Sequence, residues 1–183
     1  SAPMYYALAF IFLFSVAGLT GIHLAVLATD VFLHDTYFVV AHFHYTMQGG
    51  TVISLVAGMY YWFPKITGRK YNEKWAFISF LMVFIGFNMT FIPQFILGME
   101  GMPRRYFDYL PQFQTWHSIS TIGALTNGLG YATTFGQLLY SAFKGEKAEA
   151  NPWNALSLEW QTPSPPPETN FDEVPHFPES IYD

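Results

Sequence analysis

TYFVVAHFHYTMQGGTVISLVAGMYYWF, running from Thr36 to Phe63, is the stretch that decides the fold. It has no Lys, Arg, Asp or Glu, yet it carries His42 and His44 near its start. An uncharged run of this length can cross a hydrocarbon core, for which about 20 helical residues at a rise of 1.5 Å suffice. A polar ring in that medium is costly unless it has a partner, so each histidine is a functional candidate by default.

Three more runs of about 25 residues share this character: Pro3 to Ala28, Trp75 to Met99 and Ser118 to Phe143. The expected fold class is therefore an all-α membrane protein with four transmembrane helices. Buried helices of a soluble protein are the competing reading, but 183 residues offer too little chain to cover four such runs. Composition agrees, with 51% apolar, 20% aromatic and only 11% charged residues. There are no cysteines, so a metal must be held by His, carboxylate or an external ligand. The net charge of -5 comes largely from a polar, proline-rich tail, and nothing supports nucleic-acid binding. Two regions are expected: residues 1–150 as the membrane part, and 151–183, with Pro163, Pro165, Pro166 and Pro167, as an extended surface tail. Ser1 follows no signal-like segment, which reads as a fragment or one piece of a split or processed polypeptide.

Charge in the connections predicts orientation. Lys65, Arg69, Lys70 and Lys74 lie between the second and third runs, and Lys144 and Lys147 begin the tail. Short cytoplasmic loops accumulate such residues, so these segments are expected to face the cytoplasm or mitochondrial matrix. The Thr29 to Asp35 link and the Glu100 to His117 loop then face outward, and Arg104 and Arg105 are the only Lys or Arg there. Trp62, Trp75, Tyr106 and Trp116 fall near predicted ends, as interface anchors do. Gly123, Gly128 and Gly130, with Gly49, Gly50 and Gly58, are read as sites of close helix packing.

At about 100° per residue, side chains two apart on a helix diverge by roughly 200°. His42 and His44 therefore cannot chelate one ion, and their spacing suggests a helix standing between two cofactors, each reached through one imidazole. With the helix starting near Thr36, His42 lies on the order of 10 Å below the outer boundary. A haem hung edge-up from it would lift its propionates toward Arg104 and Arg105, whose guanidinium groups suit a carboxylate clamp. Pairing with Asp108 or Glu100 is the plainer alternative for those arginines. On the same face, His34 and Asp35 could hold a divalent ion completed by water and a partner subunit, or could simply form a hydrogen-bonded loop.

The string H-D-T-Y-F-V-V-A-H-F-H-Y (His34 to Tyr45), W-F-P at Trp62, N-M-T-F at Asn88, G-M-P-R-R-Y at Gly101, and L-E-W with S-P-P-P in the tail resemble subunit I of aa3-type cytochrome c oxidase. The resemblance covers essentially the whole chain. It implies that the four spans are the last third of a twelve-helix haem-copper oxidase bundle. It further implies that His42 is the axial ligand of the high-spin, oxygen-binding haem and the catalytic residue here, and that His44 ligates the low-spin haem. Phe43 would lie between the two haems a. His34 and Asp35 would match residues of a magnesium or manganese site, Arg104 and Arg105 the propionate arginines, and Asp30 an acid beside them. Copper ligands, the cross-linked tyrosine and the main proton-channel residues would belong to helices outside this chain. Gln48, Gly49, Phe95, His117 and His23 depart from the commonest pattern without touching the ligand motif.

The expected function is thus electron transfer from cytochrome c to oxygen coupled to proton pumping, in a bacterial cytoplasmic or mitochondrial inner membrane. Expected partners are the rest of subunit I, subunits II and III, cytochrome c and lipid. A ubiquinol oxidase of the same superfamily is the near alternative. A proton-conducting transporter using His42 and His44 as a relay, or a purely structural subunit, are readings of different classes.

Overall fold

The structure, a computed structural model, describes residues 1–171 and 174–175. Its order is helix α1 (Ala2–Ala25), α2 (Leu27–Leu33), α3 (Tyr37–Thr46), a π-helical segment (Met47–Val52), α4 (Ile53–Thr67), α5 (Glu73–Met99) and α6 (Gln114–Lys144). Short 3-10 turns cover Pro111–Phe113 and Leu158–Trp160, and no strand forms among the described residues. By length and apolar composition, α1 and α5 are each able to cross a membrane. The second expected span is one rod built of α3, the π segment and α4. The last is α6, whose 31 residues include Asn127, Gln137 and several threonines.

Local chemistry explains most boundaries. Thr36 caps α3, its hydroxyl accepting from Phe38 N at 3.2 Å, and Asn72 caps α5 by accepting from Lys74 N and Trp75 N at 3.0 and 3.2 Å. Gly68 closes α4 in the left-handed conformation, with φ of 66°. Two details depart from the sequence reading. Leu27–Leu33, expected mostly as a link, is helical after a break at Val26, and α4 runs through Pro64 and Lys65 to Thr67 instead of ending at Phe63.

Helices α5 and α6 form the most intimate pair. A side chain on Gly86, Gly123 or Gly130 would strike the facing helix backbone, so these glycines set the close approach. Gly49 and Gly50 admit Leu13 and Phe14 of α1, whereas Gly128 faces open space. The bundle core includes Tyr6, Leu13, Tyr45, Val56, Tyr60 and Phe87. Much of the outside is apolar too: Leu8, Leu19, Leu55 and Leu129 are each about 60% exposed. Such a surface needs lipid or further helices to cover it.

Each end of the bundle is tied by a short bridge. Thr36 pairs antiparallel with Pro103, through Tyr37 N to Met102 O (3.1 Å) and Arg104 N to Asp35 O (2.9 Å). At the opposite end Arg69 pairs with Lys147. There the described part of the tail folds against α4. Trp160 is 2% exposed and donates to Tyr61 Oη at 2.8 Å, and Lys65 donates to the carbonyls of Ala150, Thr162 and Pro163. The rest of the 151–183 expectation lies outside the described residues.

Candidate haem-ligating site

Helix α3 presents its two histidines to different neighbours. The His42 ring lies against α1, with Nδ1 2.9 Å from Thr20 Oγ1 and Cε1 close to the bare face of Gly21. The His44 ring lies against α5, stacked on Phe91 at 4.3 Å between centroids and on its neighbour Phe43 at 4.4 Å. The divergence expected from the two-residue spacing is what the backbone delivers.

Both rings are hydrogen-bonded through Nδ1. His44 Nδ1 is 2.8 Å from Val40 O, and a carbonyl only accepts, so Nδ1 carries the proton. His42 Nδ1 shares a 2.9 Å hydrogen bond with the Thr20 hydroxyl, which also lies 2.9 and 3.0 Å from Val16 O and Ala17 O. In each imidazole Nε2 makes no hydrogen bond among the described residues. This is the donor set an axial metal ligand needs, with the second nitrogen anchored and the first free to coordinate. Both residues therefore fit a haem iron through Nε2.

The rod holding them is braced on two sides. Tyr45 donates to Asn88 Oδ1 of α5 at 2.8 Å, and Gln48, in the π segment, donates to Asn127 Oδ1 of α6 at 2.9 Å. Gly98 on α5 permits backbone contact with Phe38. Thr20, Gly21 and Phe91 are the supporting residues that sequence reasoning did not single out. Thr20-Gly21 is a small polar pair inside an apolar run, which was the available hint.

At the outer end, Arg104 pairs with neither Asp108 nor Glu100. Its Nε and Nη2 donate to Asp35 Oδ1 at 2.9 and 2.6 Å. Those hydrogen bonds, and then the guanidinium charge, hold the Asp35 carboxyl below the usual carboxylate range. The structure thus joins two residues expected to serve separate purposes, although both bonds fall on Oδ1. His34 Nδ1 donates to Asp30 O at 2.7 Å. No cluster of three or more His, Asp or Glu forms among the described residues, so a cation at His34 and Asp35 would need further ligands from elsewhere. Arg105 is exposed, with φ of 71°, and Asp30 is half-buried on α2. His23 is exposed at the end of α1, and His117 falls inside α6, stacked on Tyr109 at 4.0 Å.

Comparison with known proteins bears on the family and the fold. The family model described as "Cytochrome C and Quinol oxidase polypeptide I" matches residues 1–126. Cytochrome c oxidase subunit 1 of Cereibacter sphaeroides is 46% identical over 176 residues, covering 94% of this chain and 31% of the relative. Its counterpart from Thermostichus vulcanus is 42% identical over 183 residues, covering 100% of this chain and 33% of the relative. A heme-copper oxidase subunit I+III of Aeropyrum pernix is 46% identical over 176 residues, covering 96% of this chain and 21% of the relative. The fold also resembles a heme-copper terminal oxidase dimer solved by cryo-EM, with TM-score 0.70 at 22% identity over 81% of this chain and 28% of that one. At that identity the likeness speaks to fold alone. The chain spans a third or less of the length of these relatives. The match over most of its length shows that the chain belongs to the cytochrome c and quinol oxidase polypeptide I family.

Proposed function

We propose that this chain forms the haem-ligating third of the catalytic subunit of a cytochrome c oxidase, crossing the membrane four times through α1, the α3 to α4 rod, α5 and α6. The observation that carries it is the pair of oppositely directed imidazoles, His42 toward α1 and His44 toward α5, each with Nδ1 anchored and Nε2 free. His42 would hold the high-spin haem and His44 the low-spin haem, with Phe43 between them. When bound, the haems supply one-electron transfer and, with copper held by residues outside this chain, the reduction of oxygen to water coupled to proton pumping. His42 and His44 would hold the two haems, and their Nδ1 partners would set how strongly each imidazole donates. A donating Nδ1–H makes an imidazole more basic, so Thr20 and Val40 O tune the two ligands from behind.

At the outer face, Arg105 and Arg104 would balance propionate charge, with Asp30 in the same region. Asp35 would then serve twice, orienting Arg104 through Oδ1 and offering Oδ2, with His34 Nε2, to magnesium or manganese completed by subunit II. The Lys70 loop and the tail would face the cytoplasm or matrix. The rest of subunit I, subunits II and III, cytochrome c and lipid would be the partners, in a bacterial cytoplasmic or mitochondrial inner membrane.

The test is metal and haem analysis of the purified assembled complex containing this chain. Two haems with copper both at the oxygen site and in the partner subunit are expected. Copper absent from the partner subunit alone would favour a ubiquinol oxidase, which the family description also includes. A complex without haem bands would contradict both readings and favour a proton-conducting protein.

A further inference from the structure

The loop joining α4 to α5 and the last turns of α6 enclose a groove of about 770 Å³. Its chemistry changes along its length. Lys70, Lys74 and Lys144 stand at the mouth, and farther along are Trp75 and Tyr140. Beyond them the α6 surface at Gly136 is open, since a side chain built there would meet nothing within 4 Å.

Lys74 and Lys144 are exposed and form no ion pair among the described residues, whereas Lys70 reaches Glu149 at 3.0 Å. Two carboxylates also border the groove. Glu73 is engaged by Tyr71 Oη (3.3 Å) and Ala2 N (3.1 Å), while the exposed Glu146 bonds Lys70 N through its backbone carbonyl and its carboxylate forms no ion pair among the described residues. Lys74 and Lys144 are the unpaired cations of this groove, with one unpaired carboxylate, Glu146, beside them. Trp75 and Tyr140 are 54% and 68% exposed, a placement that suits rings with one wet and one apolar edge at the boundary of a bilayer.

A cationic mouth, exposed aromatic rings and an uncovered stretch of α6 match the phosphate, glycerol and acyl chain of a lipid in that order. Basic pockets between transmembrane helices on the cytoplasmic or matrix side take anionic headgroups. Free phosphate would use only the mouth. We propose that this groove binds an anionic phospholipid, its phosphate held by Lys74 and Lys144 with Lys70 at the rim, and one acyl chain lying over Gly136. The proposal rests on the reading that α5 and α6 cross a membrane, and not on haem ligation.

Photolabelling of the full-length assembled oxidase tests it, using phosphatidylglycerol and phosphatidylcholine that carry a diazirine on the acyl chain. On the wild-type complex, the phosphatidylglycerol probe should label the segments 70–75 and 136–144 at least several-fold more than the phosphatidylcholine probe, and millimolar inorganic phosphate should not compete. At about fivefold per lysine, Lys74→Gln with Lys144→Gln should cut that label roughly twentyfold, while the Lys74→Arg, Lys144→Arg pair keeps it. Equal labelling by both probes, full competition by phosphate, or labelling of exposed α1 and α5 residues without the groove would overturn the proposal. Absence of label from every apolar helix would instead overturn the membrane reading. The wild-type arms decide the matter even if the double Gln variant fails to assemble.

Discussion

The two flanks of α3 hold their imidazoles by different means. On the α1 side, His42 depends on a hydroxyl and a missing side chain, Thr20 and Gly21, both supplied by another helix. On the α5 side, His44 takes its hydrogen bond from its own helix, through Val40 O, and its orientation from an aromatic slot. The same Nδ1 anchoring is therefore reached by a tertiary contact in one case and by local geometry plus ring stacking in the other. The His42 site should respond to shifts of α1, and the His44 site to the loss of its stacking partner.

The largest effect that would break this contrast is Phe91→Ala. Phe91 is 7% exposed, and emptying its place should cost about 3 kcal/mol. Melting followed at the low-spin haem band should move to lower temperature, while carbon monoxide binding at 25 °C persists. Equal damage to both haem signals would show that the flanks are not independent.

Gly21→Ala acts on the other flank. Its new methyl would stand 3.0 Å from His42 Cε1, so the ring must yield by a few tenths of an ångström, at about 1 to 2 kcal/mol. Carbon monoxide recombination should change and the low-spin band should not. Thr20→Val keeps the shape and removes the hydrogen-bond partner of His42 Nδ1, at about 1 kcal/mol. The iron–histidine stretch in resonance Raman spectra should fall, because the imidazole becomes less basic. An unchanged frequency would assign Thr20 a packing role only.

The smallest effect on stability is expected at the outer end, where Asp35 is largely exposed. Asp35→Asn should leave the melting temperature nearly unchanged, since exposed ion pairs contribute little. It should nevertheless abolish the electron paramagnetic resonance signal of bound manganese.

These contrasts also mark how far the sequence could be read. The four long apolar segments and the divergence of His42 from His44 follow from composition and helical period, because both are local properties. What periodicity misses is anything settled by a distant helix. The partner of Arg104 is 69 residues away and arrives through the Thr36 to Pro103 bridge, so the nearby acids Asp108 and Glu100 were the natural but mistaken candidates. Thr20 and Phe91 gain meaning only once α1 and α5 lie on either side of α3. The π segment at Met47–Val52 was likewise hidden, since Gly49-Gly50 reads equally well as a packing site, which it also is. Helix α2 escaped notice because LATDVFL continues an apolar run without a Gly or Pro to mark the break at Val26.

The central claim is that one helix serves two irons, one from each flank. Optical and electron paramagnetic resonance spectra of the assembled oxidase carrying His42→Ala or His44→Ala test it directly. The account predicts disjoint losses: His44→Ala removes the low-spin signal and leaves the high-spin haem, while His42→Ala abolishes carbon monoxide and oxygen reactivity and leaves the low-spin signal. Retention of both signals in assembled variants, or loss of the same signal in both, would contradict it.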